Sequence, residues 1–328
     1  MIITRTPLRI SLGGGGTDLP SYYSQHEGFL VTAAIDKHVY IMVNPRFERS
    51  LRISYSQTEI ADSVDEVKHP IVREALRFLG LETGLEIVSI ADLPANSGLG
   101  SSSTFTVGLL HALHVYKREP VTPKQLAEEA FHIEAEVLGE PIGKQDQYAA
   151  AYGGIIAMDI DRDGTVDVTR LELPDGLVQD LEHSLTLWYT GLRRAASEVL
   201  AGQSKSLSNS TSDPTLAMHE IKQIGFQIRD ALAEGEFHRI GELMDVHWEN
   251  KKRLAGNVSS GTVDRWYAMA KDSGAVGGKI IGAGGGGFFM FYTPSQSKTR
   301  LRQSMSGEGL QELRLGFDFD GSKLVANL

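Results

Sequence analysis

The segment Leu93-Pro-Ala-Asn-Ser-Gly-Leu-Gly-Ser-Ser-Ser103 constrains the fold more than any other part of this 328-residue chain. It joins an apolar, β-branched stretch, Leu85–Ile90, to a run that reads as a helix from about Thr104 to Tyr116. Small residues at such a junction let the main chain close around an anion. The free amides and positive end of the helix then hold it. Pro94, Asn96, Ser97, Gly98, Leu99, Gly100, Ser101, Ser102 and Ser103 are the candidate residues of this phosphate cradle. It is not a P-loop, which would place Lys-Ser or Lys-Thr after the glycines; here the next lysine is Lys117. Apolar segments on both sides argue against a flexible glycine-serine linker.

Strands are expected at 2–12 and 29–44, at Arg52–Tyr55, at Leu185–Tyr189, and near 153–160 and 166–173 around the turn Asp161–Gly164. Helices are expected at His69–Leu79, with Pro70 in its first turn and Gly80 at its end, and at 123–138, opened by Thr122 and Pro123. Three more run at roughly 214–233, 236–253 and 259–272, before a glycine turn that feeds a strand ending at Tyr292. This mixture of hairpins and helices predicts an α+β protein. The stretch Leu173–Leu177 marks the expected boundary between two domains, 1–175 and 176–328.

With 41% hydrophobic and 23% charged residues, the composition is that of a globular protein. A net charge of -10 argues against nucleic acid or an anionic membrane as partner. The chain has no cysteine, which excludes disulfides, thiolate catalysis and cysteine-held metals. The first residues lack the apolar core of a signal peptide and no stretch is long enough to span a bilayer, so a cytoplasmic location is expected. Oligomeric state, a homodimer included, is not set by the sequence.

Two further glycine runs and one acidic region complete the candidate site. In Pro7-Leu-Arg-Ile-Ser-Leu-Gly-Gly-Gly-Gly-Thr-Asp18, four bare residues let a ligand approach the main chain, with Arg9 on the entering strand and Asp18 suited to sugar hydroxyls. Gly15, Gly16 and Thr17 belong to the same turn. Glu134 and Glu136, two apart on a helix, cannot share a face. Glu134 aligns with Ala127, Ala130 and Leu138 on the inner side, and Glu136 faces solvent. Asp146 follows a turn at Gly143, where it could accept or polarise a hydroxyl proton. The third run, Gly277–Gly287, is suited to close packing against the other two. A hydroxyl-rich anion cradle, an inward acid, a candidate base and an arginine are together the parts of phosphoryl transfer. The serine-rich segment Ala201–Asp213 reads as a solvated loop in preference to a mobile lid, because nothing in it demands a ligand.

The runs Pro7–Asp18, Pro94–Ser103 and Gly278–Gly287, in that order, resemble the three motifs of the galactokinase, homoserine kinase, mevalonate kinase and phosphomevalonate kinase (GHMP kinase) superfamily. The resemblance covers nearly the whole chain. It implies an N-terminal domain like ribosomal protein S5 domain 2, a ferredoxin-like C-terminal domain, and ATP and Mg2+ as cofactors. It also implies that Pro94–Ser103 wraps the ATP phosphates, that Ser102 and Glu134 hold magnesium, that Asp146 handles the acceptor hydroxyl, and that Arg9 steadies the transferring group. Asp18 matches a sugar ligand, and Gly285 and Gly286 fall in the third motif beside the acceptor. Gly-Gly-Gly-Gly-Thr-Asp replaces the Gly-Glu-His-Thr-Asp of galactokinases, which makes galactose a poor acceptor. Gly13–Pro20, Ala34–His38, His69–Ala75, Gly139–Tyr148 and Tyr189–Ala196 are most similar to the branch acting on D-glycero-D-manno-heptose 7-phosphate. That resemblance implies a small sugar phosphate as substrate, phosphorylated at its anomeric hydroxyl. Its existing phosphate would need cationic or amide partners. Arg193, Arg194, Lys37 and Lys144 are the candidates.

Overall fold

The computed structural model describes residues 1–94, 97–192, 199–203, 213–255 and 258–328. Strand β1 (Ile2–Gly13) pairs antiparallel with β2 (Gly28–Pro45), Ile2 facing Val43 and Gly13 facing Val31. The register shifts between Pro7 and Leu8, so the proline, which cannot donate to the ladder, sits at an irregularity. Between these strands lies a short helix, α1 (Pro20–His26). The long β2 serves two neighbours. Its second half pairs with β5 (Leu85–Ala91), which carries β3 (Leu51–Ser54) and β4 (Thr58–Ala61) beyond it. Its first half pairs with β6 (Ile155–Ile160), extended by β7 (Val166–Arg170). The final strand, β12 (Lys323–Asn327), returns to the free edge of β1. The eight strands form one sheet in the order β12-β1-β2-β5-β3-β4, with β6 and β7 attached to β2.

Helices α2 (Pro70–Phe78), α3 (Ser101–Lys117), α4 (Pro123–Phe131) and α5 (Gln145–Tyr152) belong to this half. Threonine hydroxyls bind α3 to β1: Thr104 Oγ1 donates to Pro7 O at 3.1 Å, and Thr4 Oγ1 to Gly108 O at 2.9 Å. After α6 (Asp175–Ser184) come β8 (Leu185–Tyr189), α7 (Asp213–Glu234), α8 (Phe237–Leu254) and α9 (Gly261–Asp272). Then follow β9 (Gly277–Ile280), β10 (Phe288–Tyr292), α10 (Lys298–Gly307) and β11 (Gln311–Leu313). The second sheet is antiparallel throughout in the order β11-β8-β10-β9, the strand order of a ferredoxin-like domain.

Strand alternation divides the second sheet between two cores. Leu187, Phe288, Met290 and Tyr292 join the apolar interior of the first sheet. Trp188, Phe289 and Phe291 pack instead with Trp248, Trp266 and Leu301. The two halves are thereby fastened along one buried face. The change of sheet falls across α6, and the returning β12 brings the chain ends together, with the Met1 amino group donating to Leu328 O at 2.7 Å.

Most expected elements lie within a few residues of their place, with three instructive differences. The helix expected from Thr104 begins at Ser101, because Gly100 takes the left-handed backbone (φ 79°) that lets the chain turn straight into the serines. The helix expected over 123–138 changes at His132 to a π-helical turn, His132–Val137. The stretch Leu173–Leu177 is no bare linker, since α6 starts at Asp175. Short edge strands β9, β11 and β12 carried too little pattern to be read.

Candidate active site

Arg9 is the hub. It points from β1 and is almost fully buried, so its charge must be met locally. Its Nε and Nη2 donate to the two carboxylate oxygens of Asp146 at 2.7 and 2.8 Å, and its Nη1 donates to Gly98 O at 2.7 Å. Its main-chain N–H donates to Leu99 O at 3.1 Å. One residue thus ties β1, the Ser97–Ser103 cradle and the first turn of α5 together. A Cβ at Gly100 would lie 3.2 Å from Asp146 Oδ2 and 3.3 Å from Arg9 Cγ, so a bare residue is what lets the pair sit against the helix entrance. The amides of Ser101, Ser102 and Ser103 open α3, where helix geometry leaves them without carbonyl partners.

Glu134 lies across the same entrance, on the π-helical turn. Ser102 Oγ donates to its Oε1 at 2.8 Å and Gln147 Nε2 to its Oε2 at 2.9 Å. Burial pushes the carboxyl up to about 7, outweighing these hydrogen bonds; the neighbouring Asp146 charge adds to the rise. Glu136 is exposed and pairs with His132, as its place two residues on requires. Among the described residues no three His, Asp or Glu side chains gather as a metal cage. A magnesium nucleotide nonetheless fits these residues. Magnesium is usually held by one or two carboxylates with phosphate oxygens completing its shell, and here one buried carboxylate and one hydroxyl stand at an anion-binding helix N-terminus.

Asp18 closes the cavity beside the first glycine turn. Its Oδ1 accepts from Gly16 N and its Oδ2 from Gln145 N, both at 3.0 Å. Burial raises its pKa, with the two amides pulling the other way. A Cβ at Gly143 would fall 2.0 Å from Asp18 Oδ2, which fixes glycine at the turn before α5.

A cavity of about 460 Å3 brings together Arg9, Gly15, Gly16, Asp18, Gly98, Gly100, Ser101, Ser102, Ser103, Glu134 and Asp146. Several expected residues stand elsewhere. The Thr17 hydroxyl is buried inside the first glycine turn, 2.8 Å from the carbonyls of Gly14 and Phe29. Pro94 is exposed, while Ser97 and Leu99 are buried behind the cradle. The third glycine run braces this wall: a Cβ at Gly282 would meet Gly98 O at 2.6 Å, and one at Gly287 would meet Ser97 O at 2.5 Å. Gly285 and Gly286 pack against Val258 and Leu192, outside the cavity wall. Lys37 pairs with Asp36 at 2.7 Å, away from the cavity. Lys144 is buried, with Nζ donating to both Glu128 oxygens and to Gly164 O. Its charge is therefore spent inside the fold. Asn96, Arg193, Arg194 and 204–212 lie outside the described residues.

Seven polar wall residues are not among the candidate site residues expected from the sequence: Ser11, Glu140, Gln145, Gln203, His247, Lys251 and Lys279. Two left a readable trace. Ile240, Met244, His247, Lys251 and Leu254 recur at spacings of four and three along α8, so a histidine and a lysine occupy its apolar stripe.

Residues 67–154 match the GHMP kinases N terminal domain, and 228–309 the GHMP kinases C terminal domain. The chain is 31% identical over 319 residues to D-glycero-alpha-D-manno-heptose 7-phosphate kinase of Campylobacter jejuni, with 94% of each covered. It is 26% identical to the L-fucokinase/L-fucose-1-P guanylyltransferase of Bacteroides fragilis, covering 92% of this chain and 36% of that one. The crystal structure of a D-glycero-D-manno-heptose 1-phosphate kinase from Bacteroides thetaiotaomicron superposes with a TM-score of 0.83 at 25% identity over all of both chains. The chain belongs to the GHMP kinase family. Among the described residues no helix is long and apolar enough to cross a membrane.

Proposed function

We propose that this kinase transfers the γ-phosphoryl group of ATP to the anomeric hydroxyl of D-glycero-D-manno-heptose 7-phosphate, giving the 1,7-bisphosphate and ADP. The observation that carries the phosphotransferase reading is the Arg9–Asp146 pair, set between the anion cradle and the first glycine turn. The heptose acceptor is supported by the similarity over 94% of each chain to the Campylobacter jejuni kinase.

In this reading residues 1–175 supply the nucleotide cradle and most of the acceptor wall, and 176–328 close the far side. The cradle amides of Ser101–Ser103 bind phosphate oxygens, and Asp18 takes a sugar hydroxyl. Asp146 orients the acceptor hydroxyl and accepts its proton as the new O–P bond forms and the bond to the β-phosphate oxygen breaks. Arg9 holds Asp146 in place and balances charge on the transferring group. Glu134 and Ser102 would hold magnesium, which when bound neutralises phosphate charge.

The test is magnesium-dependent ADP release over a panel of sugars and sugar phosphates, with phosphorus NMR of the product. A new anomeric phosphate on heptose 7-phosphate, with no turnover of L-fucose or D-galactose, is expected. Turnover of L-fucose without heptose 7-phosphate would overturn the acceptor while keeping the reaction.

A further inference from the structure

The far wall of the cavity carries three basic side chains that the transfer chemistry leaves unused. Lys251 and His247 stand one turn apart on α8, and Lys279 reaches in from β9. All three side chains are buried. Lys279 Nζ donates to Leu12 O at 2.9 Å; Lys251 Nζ donates to Ile280 O at 3.1 Å and to Gly282 O. Among the described residues the contacts of both lysines are carbonyls, and neither has a carboxylate in ion-pair reach. The nearby charges make matters worse: Lys279 feels Lys251 and Arg9, and His247 feels Lys279 and Lys251. Burial together with Arg9 lowers Lys251 to about 7. Buried basic groups that repel one another and lack a counter-charge are costly to ionise, and in a cavity wall they mark the seat of an anion that would restore their charge.

The wall also holds unanswered polar atoms. Ser11 Oγ, Gln145 Oε1 and both ring nitrogens of His247 are buried without hydrogen-bond partners among the described residues. A Cβ at Gly15 would lie 2.6 Å from Ser11 Oγ, so a bare residue is what lets the turn pass that hydroxyl. Lysines bind phosphate oxygens as compact point charges. The arginine present is already committed to Asp146.

We infer that Lys279 and Lys251, with His247 beside them, form a binding site for a phosphomonoester that the acceptor already carries. This rests on the kinase reading above and narrows the acceptor to a phosphorylated polyol. Lys279 is anchored to Leu12, at the entrance to the first glycine turn, and Lys251 to Ile280 and Gly282 on the third glycine run, with Arg9 near both.

The test is calorimetric titration of inorganic phosphate into the full chain, with the nucleotide site first saturated by a non-hydrolysable magnesium ATP analogue. Phosphate binds the wild type under these conditions, and Lys279→Met and Lys251→Met each weaken it at least about tenfold, the effect of losing one charge-assisted contact. In turnover, both variants raise KM for the phosphorylated acceptor and leave KM for ATP unchanged. Phosphate that competes with the nucleotide analogue, or binds the variants as it binds the wild type, overturns the site. Should a methionine variant fail to fold, Lys251→Gln is read in the same titration. The titration does not depend on turnover, so an enzyme silent toward every acceptor would defeat the kinase reading without touching this result.

Discussion

Arg9 and Asp146 meet through two parallel N–H···O bonds of 2.7 and 2.8 Å, while the remaining guanidinium nitrogen grips Gly98 O at 2.7 Å. The acceptor-side carboxylate and the anion cradle are therefore fixed to one another through a single planar group. Asp146→Asn keeps the shape but turns an amide N–H toward an arginine N–H and removes the proton acceptor. Turnover is expected to fall by about 10²–10³-fold with nucleotide affinity unchanged. Arg9→Lys cannot reproduce the two-point contact and is expected to lower kcat by a similar factor. Steady-state kinetics with equilibrium nucleotide titration separates the effects, and wild-type turnover in Asp146→Asn would remove Asp146 from the reaction.

Glu134 makes the site sensitive to pH in two ways. Its carboxyl has an ordinary value of 4.5 and is raised by burial to about 7. Between these values the folded protein holds a proton that the unfolded chain has lost, so stability falls as pH rises from 4.5 to 7 and stays reduced above. Glu134→Gln removes that penalty. Without metal or nucleotide it should be more stable than wild type at pH 8, by on the order of 3 kcal/mol, with the gap closing near pH 4.5. The ionised carboxylate is the form that can hold a cation, so magnesium affinity should weaken as pH drops below about 7, and metal-dependent activity should vanish in the glutamine variant. Thermal unfolding at several pH values checks the first claim. A glutamine variant less stable at pH 8 would refute it.

Asp18 is positioned by what Gly143 lacks. A methyl group there would lie 2.0 Å from Asp18 Oδ2 and 3.0 Å from Asp18 O, too close for either to stay. Gly143→Ala should displace the carboxylate from Gln145 N and raise acceptor KM about tenfold, the worth of one displaced charge-assisted hydrogen bond. KM for ATP should not change. Equal rises in both constants would mean that the turn before α5 had moved as a whole.

What the sequence revealed follows from how local each signal is. The cradle was legible because its glycines and serines adjoin both a strand and a helix. Glu134 was legible because a helical period puts it inside and Glu136 outside, a distinction the π-helical turn preserves. The phosphate partners were not, because a lysine's value depends on what surrounds it. Lys37 and Lys144 sit in polar stretches that read as accessible, yet one pairs with its neighbour and the other is buried on Glu128. Lys279 lies among the glycines of the third run and Lys251 in the apolar stripe of α8, and neither setting by itself marks an anion partner. Only the meeting of α8 with β9 and the end of β1 gathers them.

Lys144 supplies the sharpest contrast between a ligand contact and a packing role. Its Nζ lies 2.9 and 3.0 Å from the Glu128 oxygens and 2.7 Å from Gly164 O, and 4.8 Å from the centre of the Phe131 ring. The Tyr148 hydroxyl donates to the same carboxylate. The ion pair joins α4 to the start of α5, and so lies beneath Asp146 without facing the cavity. Lys144→Met keeps the aliphatic stem and deletes the charge. Glu128 stays partly hydrated with 37% of its side chain exposed, so the loss should be below that of a fully buried pair, about 2 kcal/mol. The denaturant midpoint should drop with acceptor KM unchanged. A raised acceptor KM at wild-type stability would return Lys144 to the substrate.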